Sequence, residues 1–343
     1  MTVRAGIIGA SGYTGAELLR LLAGHADIDV VVATAETNAG QRVADLYPAL
    51  AAGYGDLTFG RVDTAGLTGD QLDLVFLGLP HEASMALAPA LVGNVGCVVD
   101  LSAAFRLKDA TAYPRWYGFE HDQPALLAEA VYGLPERTRA ELPGARLVAT
   151  PGCYVTAATL ALAPLLDAEL IRREGVIVDA ASGVSGAGRV PRATTSFCTV
   201  DEDFAAYGLL DHRHTPEIEQ NLDAEVLFTP HLAPMNRGIL ATCYARPTGG
   251  ETLSTDALLG ALDKAYGDEP FVVVTPGSPS TKATLGSNTA HVSARYDERT
   301  GYVLALCAID NLTKGASGGA LQSANVALGL DETAGLPTVG LTP

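Results

Sequence analysis

Short apolar runs alternate with helical patterns through the first 150 residues. Five of these runs have the length and the branched apolar content of buried strands: Val3–Ile8, Ile28–Thr34, Leu72–Leu79, Gly96–Leu101 and Leu147–Thr150. Between the first two runs, Ala16–Ala23 repeats apolar residues at helical spacing. Strands that alternate with helices predict an α/β fold with a doubly wound parallel sheet.

The pattern changes after Cys153, where strand candidates outnumber helical patterns. The strand candidates are Val176–Ala180, Glu225–Phe228, Gly238–Ala245, Ala290–Tyr296 and Tyr302–Leu306, and the main helical pattern is Leu253–Tyr266. This mixture predicts an α+β region whose mixed or antiparallel sheet carries helices on one face. A last helical pattern, Gly315–Leu328, is expected to return to the first region. We therefore expect one domain of residues 1–150 and 315–343 and another of residues 151–314.

Composition and charge narrow the class of protein. The 343 residues are 48% hydrophobic and 18% charged, as in a globular protein. Apolar runs are too short for a transmembrane helix, and residues 1–6 lack a signal-peptide pattern, so we expect a cytoplasmic protein without a membrane partner. A net charge of −17 disfavours nucleic acid as a partner. An anionic substrate would have to be bound by local arginines or helix N-termini.

The five cysteines form no metal or disulfide pattern. They are widely spaced and include no C-x-x-C pair, and the His212-x-His214 pair has no third ligand nearby, so no metal site is expected. Cys97 and Cys307 lie in apolar strand patterns, where cysteine behaves as a small buried hydrophobe.

A glycine-rich turn follows the first strand at Gly9-Ala10-Ser11-Gly12-Tyr13-Thr14-Gly15. It is a variant of the dinucleotide fingerprint, in which glycines let the backbone approach a pyrophosphate at a helix N-terminus. The residues expected to bind the cofactor here are Gly9, Ser11, Gly12, Tyr13, Thr14 and Gly15. The alternative is a structural turn without a ligand.

The end of the second strand leaves the choice between NAD and NADP open. Glu36 comes a little late in the chain for the acidic residue that binds the ribose of NAD. Thr34, Thr37 and Asn38 could bind a 2′-phosphate, with Arg42 nearby.

Cys153 stands between a Pro151-Gly152 turn and the helical run Tyr154–Leu162. A helix dipole stabilises a thiolate at this position, and the free backbone amides there could hold an oxyanion. The sequence thus predicts a nucleophilic cysteine; the alternative is a buried structural one. A nucleophilic thiol together with a nicotinamide cofactor indicates reduction of an acyl group through an enzyme thioester.

A second constellation lies at His212-Arg213-His214-Thr215-Pro216-Glu217. Pro216 suits the first turn of a helix, with Thr215 as its N-cap and His214 just outside. His214 could pair with the thiolate and transfer a proton, and Glu217 could orient it. The alternative is a capped surface helix with two solvated histidines.

Two arginines are candidates for anion binding. Arg106 follows an apolar strand, and Arg189 ends the glycine-rich segment 182–189, whose backbone amides could cradle phosphate oxygens. Either arginine could instead form an ordinary surface ion pair. We place Ser182 and Gly183 beside the cofactor, and Arg106, Arg189, Ser185 and His212 beside the substrate.

Taken together, these segments closely resemble the N-acetyl-gamma-glutamyl-phosphate reductase family nearly end to end. The matching segments are Gly9–Gly15, Leu79–His81, Asp100–Leu107, Tyr132–Glu136, Pro151–Tyr154, Ser182–Arg189, His212–Glu217, Arg237–Leu240 and Ile309–Gly315. The resemblance implies a Rossmann domain plus an α+β domain of the kind found in aspartate-semialdehyde dehydrogenases. It also implies a homo-oligomer, a dimer or tetramer.

The reaction implied by the resemblance is NADPH-dependent reduction of a small acyl phosphate to a semialdehyde with release of phosphate, in arginine biosynthesis. Cys153 would be the nucleophile and His214 the acid/base, and Lys314 and Gly315 would flank the cofactor. One position departs from the family, which commonly has an acidic residue where Ala104 stands.

Three alternatives remain at this point. A sister group that reduces carrier-bound aminoadipyl phosphate in lysine biosynthesis tends to carry Gly-Cys-Asn and His-Thr-Ala, whereas this chain reads Gly152-Cys153-Tyr154 and His214-Thr215-Pro216. The second is a dehydrogenase for another small semialdehyde, and the third is a non-catalytic NADP-binding protein.

Overall fold

The chain divides into two units in a computed structural model that describes residues 2–62, 71–249 and 253–342. The first unit comprises Met1–Pro151 and Ala316–Leu336, and the second comprises Gly152–Gly315 and Pro337–Pro343. The predicted first domain included residues 337–343, which the structure instead assigns to the second unit. The reason is local pairing: the Asn288 amide donates to the Pro337 carbonyl at 2.7 Å, and the Leu341 amide donates to the Leu285 carbonyl at 2.8 Å.

The first unit is built on a six-stranded parallel sheet of order β2-β1-β3-β4-β6-β5. Its elements up to residue 150 are β1 (Val3–Ile8), α1 (Tyr13–Leu22), β2 (Ile28–Thr34), α2 (Val43–Leu46), α3 (Ala51–Tyr54), β3 (Leu74–Leu77), α4 (His81–Leu91), β4 (Cys97–Asp100), α5 (Tyr113–Tyr117), α6 (Pro124–Glu129), β5 (Val131–Tyr132), α7 (Pro135–Thr138) and β6 (Leu147–Ala149). The predicted doubly wound sheet is confirmed. The strand order reverses between β1 and β3, and ligands of open α/β sheets bind at such a switch point.

The inner strands of this sheet are apolar because both of their faces are covered. Every residue of β3, β4 and β6 is buried. Strands of this kind appear in a sequence as continuous apolar runs rather than as alternating ones.

The second unit carries a mixed seven-stranded sheet of order β11-β12-β13-β10-β7-β9-β8. Its elements are α8 (Cys153–Asp167), β7 (Val176–Gly183), α9 (Phe197–Val200), β8 (Ala205–Ala206), α10 (Thr215–Leu222), β9 (Val226–Ala233), β10 (Ile239–Ala245), α11 (Thr255–Tyr266), β11 (Val272–Val274), β12 (Ala290–Asp297) and β13 (Tyr302–Ile309). Pairs β7–β9 and β11–β12 are parallel and the others antiparallel, so the sheet predicted to be mixed or antiparallel is a mixed one.

Helix α8 is the centre of the second unit. Residues 154–166 of this helix are all buried. It packs against β10, β12 and β13 of the sheet and also contacts α10 and α11. The Tyr266 hydroxyl of α11 donates to the Leu160 carbonyl of α8 at 2.9 Å. Because Cys153 is the first residue of this helix, the packing of α8 fixes the position of the thiol.

The chain leaves the second unit through a π-helical turn, Thr313–Ser317, and enters α12 (Gly318–Ala327). Helix α12 packs against α1, α7 and β4 of the first unit, as expected for a segment returning to the first region. No helix in the described part of the chain is long and apolar enough to cross a membrane.

Candidate active site

The glycine turn of the first unit shows a different reason for each of its glycines. Gly9 has φ +87°, and a Cβ on it would collide with the Gly78 carbonyl oxygen. A Cβ on Gly15 would lie 2.5 Å from the Ala10 Cα. Gly12, in contrast, has φ −79°, and its nearest neighbour would be the Gly9 oxygen at 3.6 Å. Packing inside the protein therefore requires glycine at residues 9 and 15. At residue 12 the space of the missing side chain is open, so a bound dinucleotide would have room to approach the protein backbone there.

Strand β2 ends beside this turn and presents an unsatisfied polar atom there. The Thr34 carbonyl accepts hydrogen bonds from the Gly9 and Ala10 amides at 3.1 and 2.8 Å. Its hydroxyl is buried and makes no hydrogen bond to the described residues. A buried hydroxyl without a partner is costly, and a bound ligand would satisfy it.

The remaining residues of the turn are arranged around the start of α1. The Ser11 carbonyl accepts a hydrogen bond from the Tyr47 hydroxyl at 2.7 Å, and the Thr14 carbonyl accepts one from the Ser317 hydroxyl at 2.8 Å. Tyr13 is the first residue of α1 and is 37% exposed. The first amides of a helix have no acceptor within it, so this end of α1 suits an anion such as a pyrophosphate.

Arg42 forms an exposed ion pair with Asp45. Their nitrogen and oxygen lie 2.7 Å apart, and the guanidinium lowers the pKa of the Asp45 carboxyl through this hydrogen bond. Asp45 therefore competes with any 2′-phosphate for Arg42.

Cys153 lies at the N-terminus of α8 with glycines on both sides of it. Gly152 is the N-cap of the helix, and a Cβ on Gly315 would lie 2.8 Å from the Cys153 Cβ. The thiol is half-buried, whereas Cys97, Cys243 and Cys307 are buried. Burial raises the pKa of Cys97 to about 12 and raises that of Cys243 as well. Of the five thiols, only that of Cys153 combines partial access with the N-terminus of a long buried helix, since Cys198 is exposed on the four-residue helix α9.

His214 lies against the backbone immediately before this thiol. A Cβ on Gly152 would be 2.5 Å from the His214 Nε2 and 2.8 Å from its Cε1. His214 itself is buried, at 9% exposure. The imidazole therefore occupies the space that any side chain at residue 152 would need.

Glu217, the third predicted catalytic residue, is fully buried on α10. Its carboxylate accepts a hydrogen bond from the Gly152 amide at 2.9 Å. Glu217 thus fixes the turn against which the His214 ring lies. Helix α10 begins at Thr215 with His214 as its N-cap, one residue earlier than the predicted Thr215 cap.

His212 belongs to a group of aromatic rings behind His214. Its centroid lies 4.8 Å from His214, 5.5 Å from Tyr207 and 5.2 Å from Phe228. Burial above all, together with the charge of Arg213, lowers the pKa of His212 to about 4. The His212 imidazole is neutral at physiological pH.

A pocket of about 520 Å³ opens in the second unit beside Cys153 and these histidines. Five predicted site residues line it: Cys153, Ser182, Gly183, His212 and His214. Two other predicted residues, Ser185 and Arg189, are not among the described residues that line it. Ser185 instead accepts a hydrogen bond from the Asn311 amide nitrogen at 3.0 Å. The basic side chains of the lining are those of Arg192 and Arg213.

Arg106 lies in the first unit with its guanidinium bonded to backbone carbonyls. It donates to Thr150 at 2.6 Å and to Leu101 at 2.9 Å, and it is 8% exposed. These carbonyls follow β6 and β4, so Arg106 ties together the ends of two neighbouring strands.

Two comparisons by sequence place the chain among known proteins. Residues 4–145 match the model "Semialdehyde dehydrogenase, NAD binding domain", and residues 153–311 match "Semialdehyde dehydrogenase, dimerisation domain". The N-acetyl-gamma-glutamyl-phosphate reductase of Symbiobacterium thermophilum is 49% identical, over 99% of this chain and 99% of its own length. That of Pseudomonas aeruginosa is 46% identical, over 99% of this chain and 100% of its own length. The chain belongs to the N-acetyl-gamma-glutamyl-phosphate reductase family.

Members of the N-acetyl-gamma-glutamyl-phosphate reductase family are oxidoreductases, and these relatives do not favour the three alternatives left by the sequence. Solved structures show the shared fold. Aspartate semialdehyde dehydrogenase II of Vibrio cholerae has a TM-score of 0.72 at 16% identity, over 95% of this chain and 98% of its own. The enzyme of Candida albicans, solved with NADP, has a TM-score of 0.68 at 14% identity, over 95% of this chain and 98% of its own.

The segment Ile309–Gly315, which carried part of the family resemblance, has a structural explanation. Asp310 is fully buried and accepts hydrogen bonds from Arg237 and from the amides of Gly286 and Thr313. Lys314 is also buried, with its ammonium 5.7 Å from the centre of the Phe271 ring. The hydrogen bonds of Asp310 hold the π-helical turn that presents Gly315 to Cys153.

The pocket residues that sequence reasoning missed include Tyr207, Arg192 and Arg213. Tyr207 follows a strand of only two residues, β8, which has too little pattern to be recognised. Arg192 and Arg213 belong to irregular segments of the chain. A signal for Arg213 was available, because it stands between the two histidines that the sequence singled out.

Proposed function

We propose that the protein reduces N-acetyl-L-glutamyl 5-phosphate to N-acetyl-L-glutamate 5-semialdehyde, with release of phosphate and consumption of NADPH, in arginine biosynthesis. The observation that carries this proposal is the His214 ring held against Gly152, beside the Cys153 thiol at the N-terminus of a buried helix. Family membership supplies the substrate.

The first chemical step is carried by Cys153. The dipole of α8 favours the thiolate, which attacks the acyl carbonyl and displaces phosphate. The free amides at the start of the helix stabilise the oxyanion that develops on the carbonyl oxygen. The product of this step is a thioester on Cys153.

The second step reduces the thioester on Cys153 to the semialdehyde. NADPH, when bound, supplies the hydride for this reduction. His214 protonates the oxygen of the tetrahedral adduct on Cys153 and takes that proton back as the carbon–sulfur bond breaks, so that the semialdehyde leaves and the thiolate is restored. Glu217 keeps the Gly152 peptide in place through its hydrogen bond. This fixes the position of the Cys153 thiol relative to the His214 imidazole.

The residues that fit the cofactor lie in the first unit. The space at Gly12 and the amides at the start of α1 suit the pyrophosphate, and the buried Thr34 hydroxyl offers a partner for the ribose end of the cofactor. Roles for Ser182, Gly183, Lys314 and Gly315 toward the cofactor, and for Arg106, Arg189, Ser185 and His212 toward the substrate, stay predictions. The preference for NADP and the cytoplasmic location are proposals of the same kind.

The experiment that tests this function is the reverse reaction. Purified protein is given N-acetylglutamate 5-semialdehyde, phosphate and NADP⁺, and NADPH formation is followed by absorbance, with NAD⁺ in parallel. We expect activity that requires phosphate and prefers NADP⁺. Protein that binds NADPH but shows no phosphate-dependent oxidation of this semialdehyde would refute the proposed substrate.

The same proposal includes a homo-oligomer, a dimer or tetramer, built through the sheet of the second unit. The match to a dimerisation domain over residues 153–311 supports it. One face of this sheet packs on α8, whereas its other face carries the half-exposed row Ile177, Tyr244 and Leu304 on paired strands. At the end of this face, Leu227 is 50% exposed. Light scattering on a Leu304→Glu variant tests it, because a charge in this row should yield monomers.

A further inference from the structure

The pocket beside Cys153 contains two uncharged polar rings whose hydrogen-bonding capacity is fixed by their neighbours. They are Tyr207, which follows the edge strand β8, and His212, which precedes α10. Their centroids lie 5.5 Å apart with the ring planes at 71°. The reaction proposed above gives neither ring a chemical step.

Tyr207 ends a directed chain of hydrogen bonds. The Tyr154 hydroxyl lies 3.1 Å from the His231 carbonyl, which can only accept, so Tyr154 donates its single hydrogen there. Tyr207 must then donate its own hydrogen to the Tyr154 oxygen, at 3.1 Å. The Tyr207 oxygen is left with lone pairs alone. Toward the pocket, it is an acceptor and not a donor.

His212 is fixed in the opposite sense. Its Nδ1 accepts a hydrogen bond from the His214 backbone amide at 3.1 Å, so Nδ1 carries no proton. A neutral imidazole carries one proton, which must then be on Nε2. Nε2 makes no hydrogen bond with the described residues, and His212 lines the pocket. Toward the pocket, His212 is a donor.

We propose that Tyr207 and His212 together recognise the secondary amide of an N-acylated substrate, with its N–H on the Tyr207 oxygen and its carbonyl on the His212 Nε2. This inference rests on the proposed function and names the residues that would read the N-acetyl group. The pair offers one acceptor and one donor, which are the partners that the N–H and the carbonyl of an amide require.

The other polar groups of the substrate do not fit this pair. Its carboxylate and phosphate carry acceptor oxygens, which the lone pairs of Tyr207 would repel. Their fit is with the cationic side chains of the same pocket, Arg192 and Arg213. The only N–H of N-acetylglutamyl phosphate is that of its amide. Burial also keeps both rings uncharged: it raises the pKa of Tyr207 to about 12 and lowers that of His212 to about 4.

The test compares the semialdehyde with an isostere that lacks the N–H. In 2-acetoxy-5-oxopentanoate an ester oxygen replaces the amide nitrogen, while the acyl carbonyl stays. The wild type should prefer the amide over the ester in kcat/KM by a factor on the order of 10², since the ester oxygen meets lone pairs on Tyr207. In Tyr207→Phe this ratio should fall by about tenfold, which corresponds to about 1.4 kcal/mol.

Substitution of His212 should give a different pattern, because the amide and the ester both keep the carbonyl that His212 would bind. His212→Phe should lower kcat/KM for the amide and the ester alike, by about tenfold, and leave their ratio unchanged. Tyr54→Phe removes a tyrosine hydroxyl from α3 of the first unit and serves as the matched control. Should Tyr207→Phe fail to fold, Tyr154→Phe gives the same readout: it frees the Tyr207 hydrogen to bond the ester oxygen, so the ratio should also fall.

Two outcomes contradict the proposal in distinguishable ways. A wild-type enzyme that turns over the amide, with a ratio that Tyr207→Phe leaves unchanged, overturns the role of Tyr207 and leaves the proposed function standing. A wild-type enzyme that shows no phosphate-dependent activity with the amide overturns the proposed function and this inference with it.

Discussion

Two turns of this protein are built alike and use their glycines differently. In the first unit, β1 runs through Gly9–Gly15 into α1; Pro151 and Gly152 lead in the same way into α8 of the second unit. Each turn ends at the N-terminus of a helix, where free amides favour a negative charge. At Gly12 the space of the missing side chain is open, whereas at Gly152 the His214 ring fills it.

In the proposed function, this difference separates a turn that binds the cofactor from a turn that carries the catalytic thiol. The first turn leaves its space for the cofactor, which the protein would bind and release. The second uses the space to hold an imidazole of its own against the backbone of a thiol. Substitutions at the two turns should therefore affect different kinetic constants, and the following predictions run from the largest expected effect to the smallest.

Replacing the nucleophile gives the largest effect. Cys153→Ser should lower kcat by a factor on the order of 10⁴ or more, because the alcohol is far less ionised than the thiol. The dissociation constant for NADPH, measured by fluorescence titration, should stay at the wild-type value since the first turn is untouched. Near-normal turnover of the variant would contradict the thioester mechanism.

Gly152→Ala should act on the chemistry through His214. The new methyl group would lie 2.5 Å from Nε2, so the ring must move. A displacement of about 1 Å at a reacting group costs about 10² in rate, and we expect this loss in kcat at an unchanged KM for NADPH.

The matched control for this variant is Gly260→Ala on α11. A Cβ there meets nothing within 4 Å, so kcat should not change. A Gly152→Ala enzyme with wild-type kcat would show that the position of His214 is irrelevant to the reaction.

Gly12→Ala should act on cofactor binding alone. Its φ of −79° suits alanine, and no neighbour obstructs the methyl group. Loss of a glycine N-cap and reduced freedom of the unfolded chain oppose each other, so the free energy of unfolding should change by less than about 1 kcal/mol. The KM for NADPH should rise by about tenfold, because the methyl group would occupy the space proposed for the pyrophosphate.

Gly15→Ala, three residues away, should give the reverse pattern. Its methyl group would lie 2.5 Å from the Ala10 Cα, and such overpacking costs about 1–3 kcal/mol of unfolding free energy. Chemical denaturation of both variants checks this. Equal destabilisation by Gly12→Ala and Gly15→Ala would mean that the space at Gly12 serves packing rather than a ligand.

Patterns local in sequence predicted most of the first unit and both turns. Its strands are continuous apolar runs. The glycine turn predicts the start of α1, and the Pro151-Gly152-Cys153 segment predicts the start of α8. Local patterns failed where structure depends on distant partners. The strand β9 extends through Pro230 to Ala233, beyond the predicted end at Phe228, because β7 pairs with it along its whole length.

The candidate site shows the same limit. Sequence reasoning identified Cys153 and His214, whose neighbours in the chain signal a turn and a helix start. It could not tell that the His214 ring, more than 60 residues later, fills the space beside Gly152. It also could not tell that Tyr207 lines the pocket directly after a two-residue strand. Nor could it tell that Arg106 would be bonded to the Thr150 carbonyl. Each of these facts is a contact between segments far apart in the chain.

The smallest predicted effect concerns a proton beside the second turn. Burial lowers the pKa of His212 from 6.5 to about 4, so between these values the unfolded chain binds a proton that the folded protein does not. The free energy of unfolding should therefore rise with pH across this window. The contribution of His212 to it should be fully present above the window and be lost as the pH falls toward 4. His212→Gln should make this dependence shallower in urea denaturation series. Part of the slope should remain, because burial also lowers the pKa of His121 and of His291. An unchanged slope in His212→Gln would mean that this imidazole is as well hydrated in the folded protein as in the unfolded chain, so that burial would not lower its pKa.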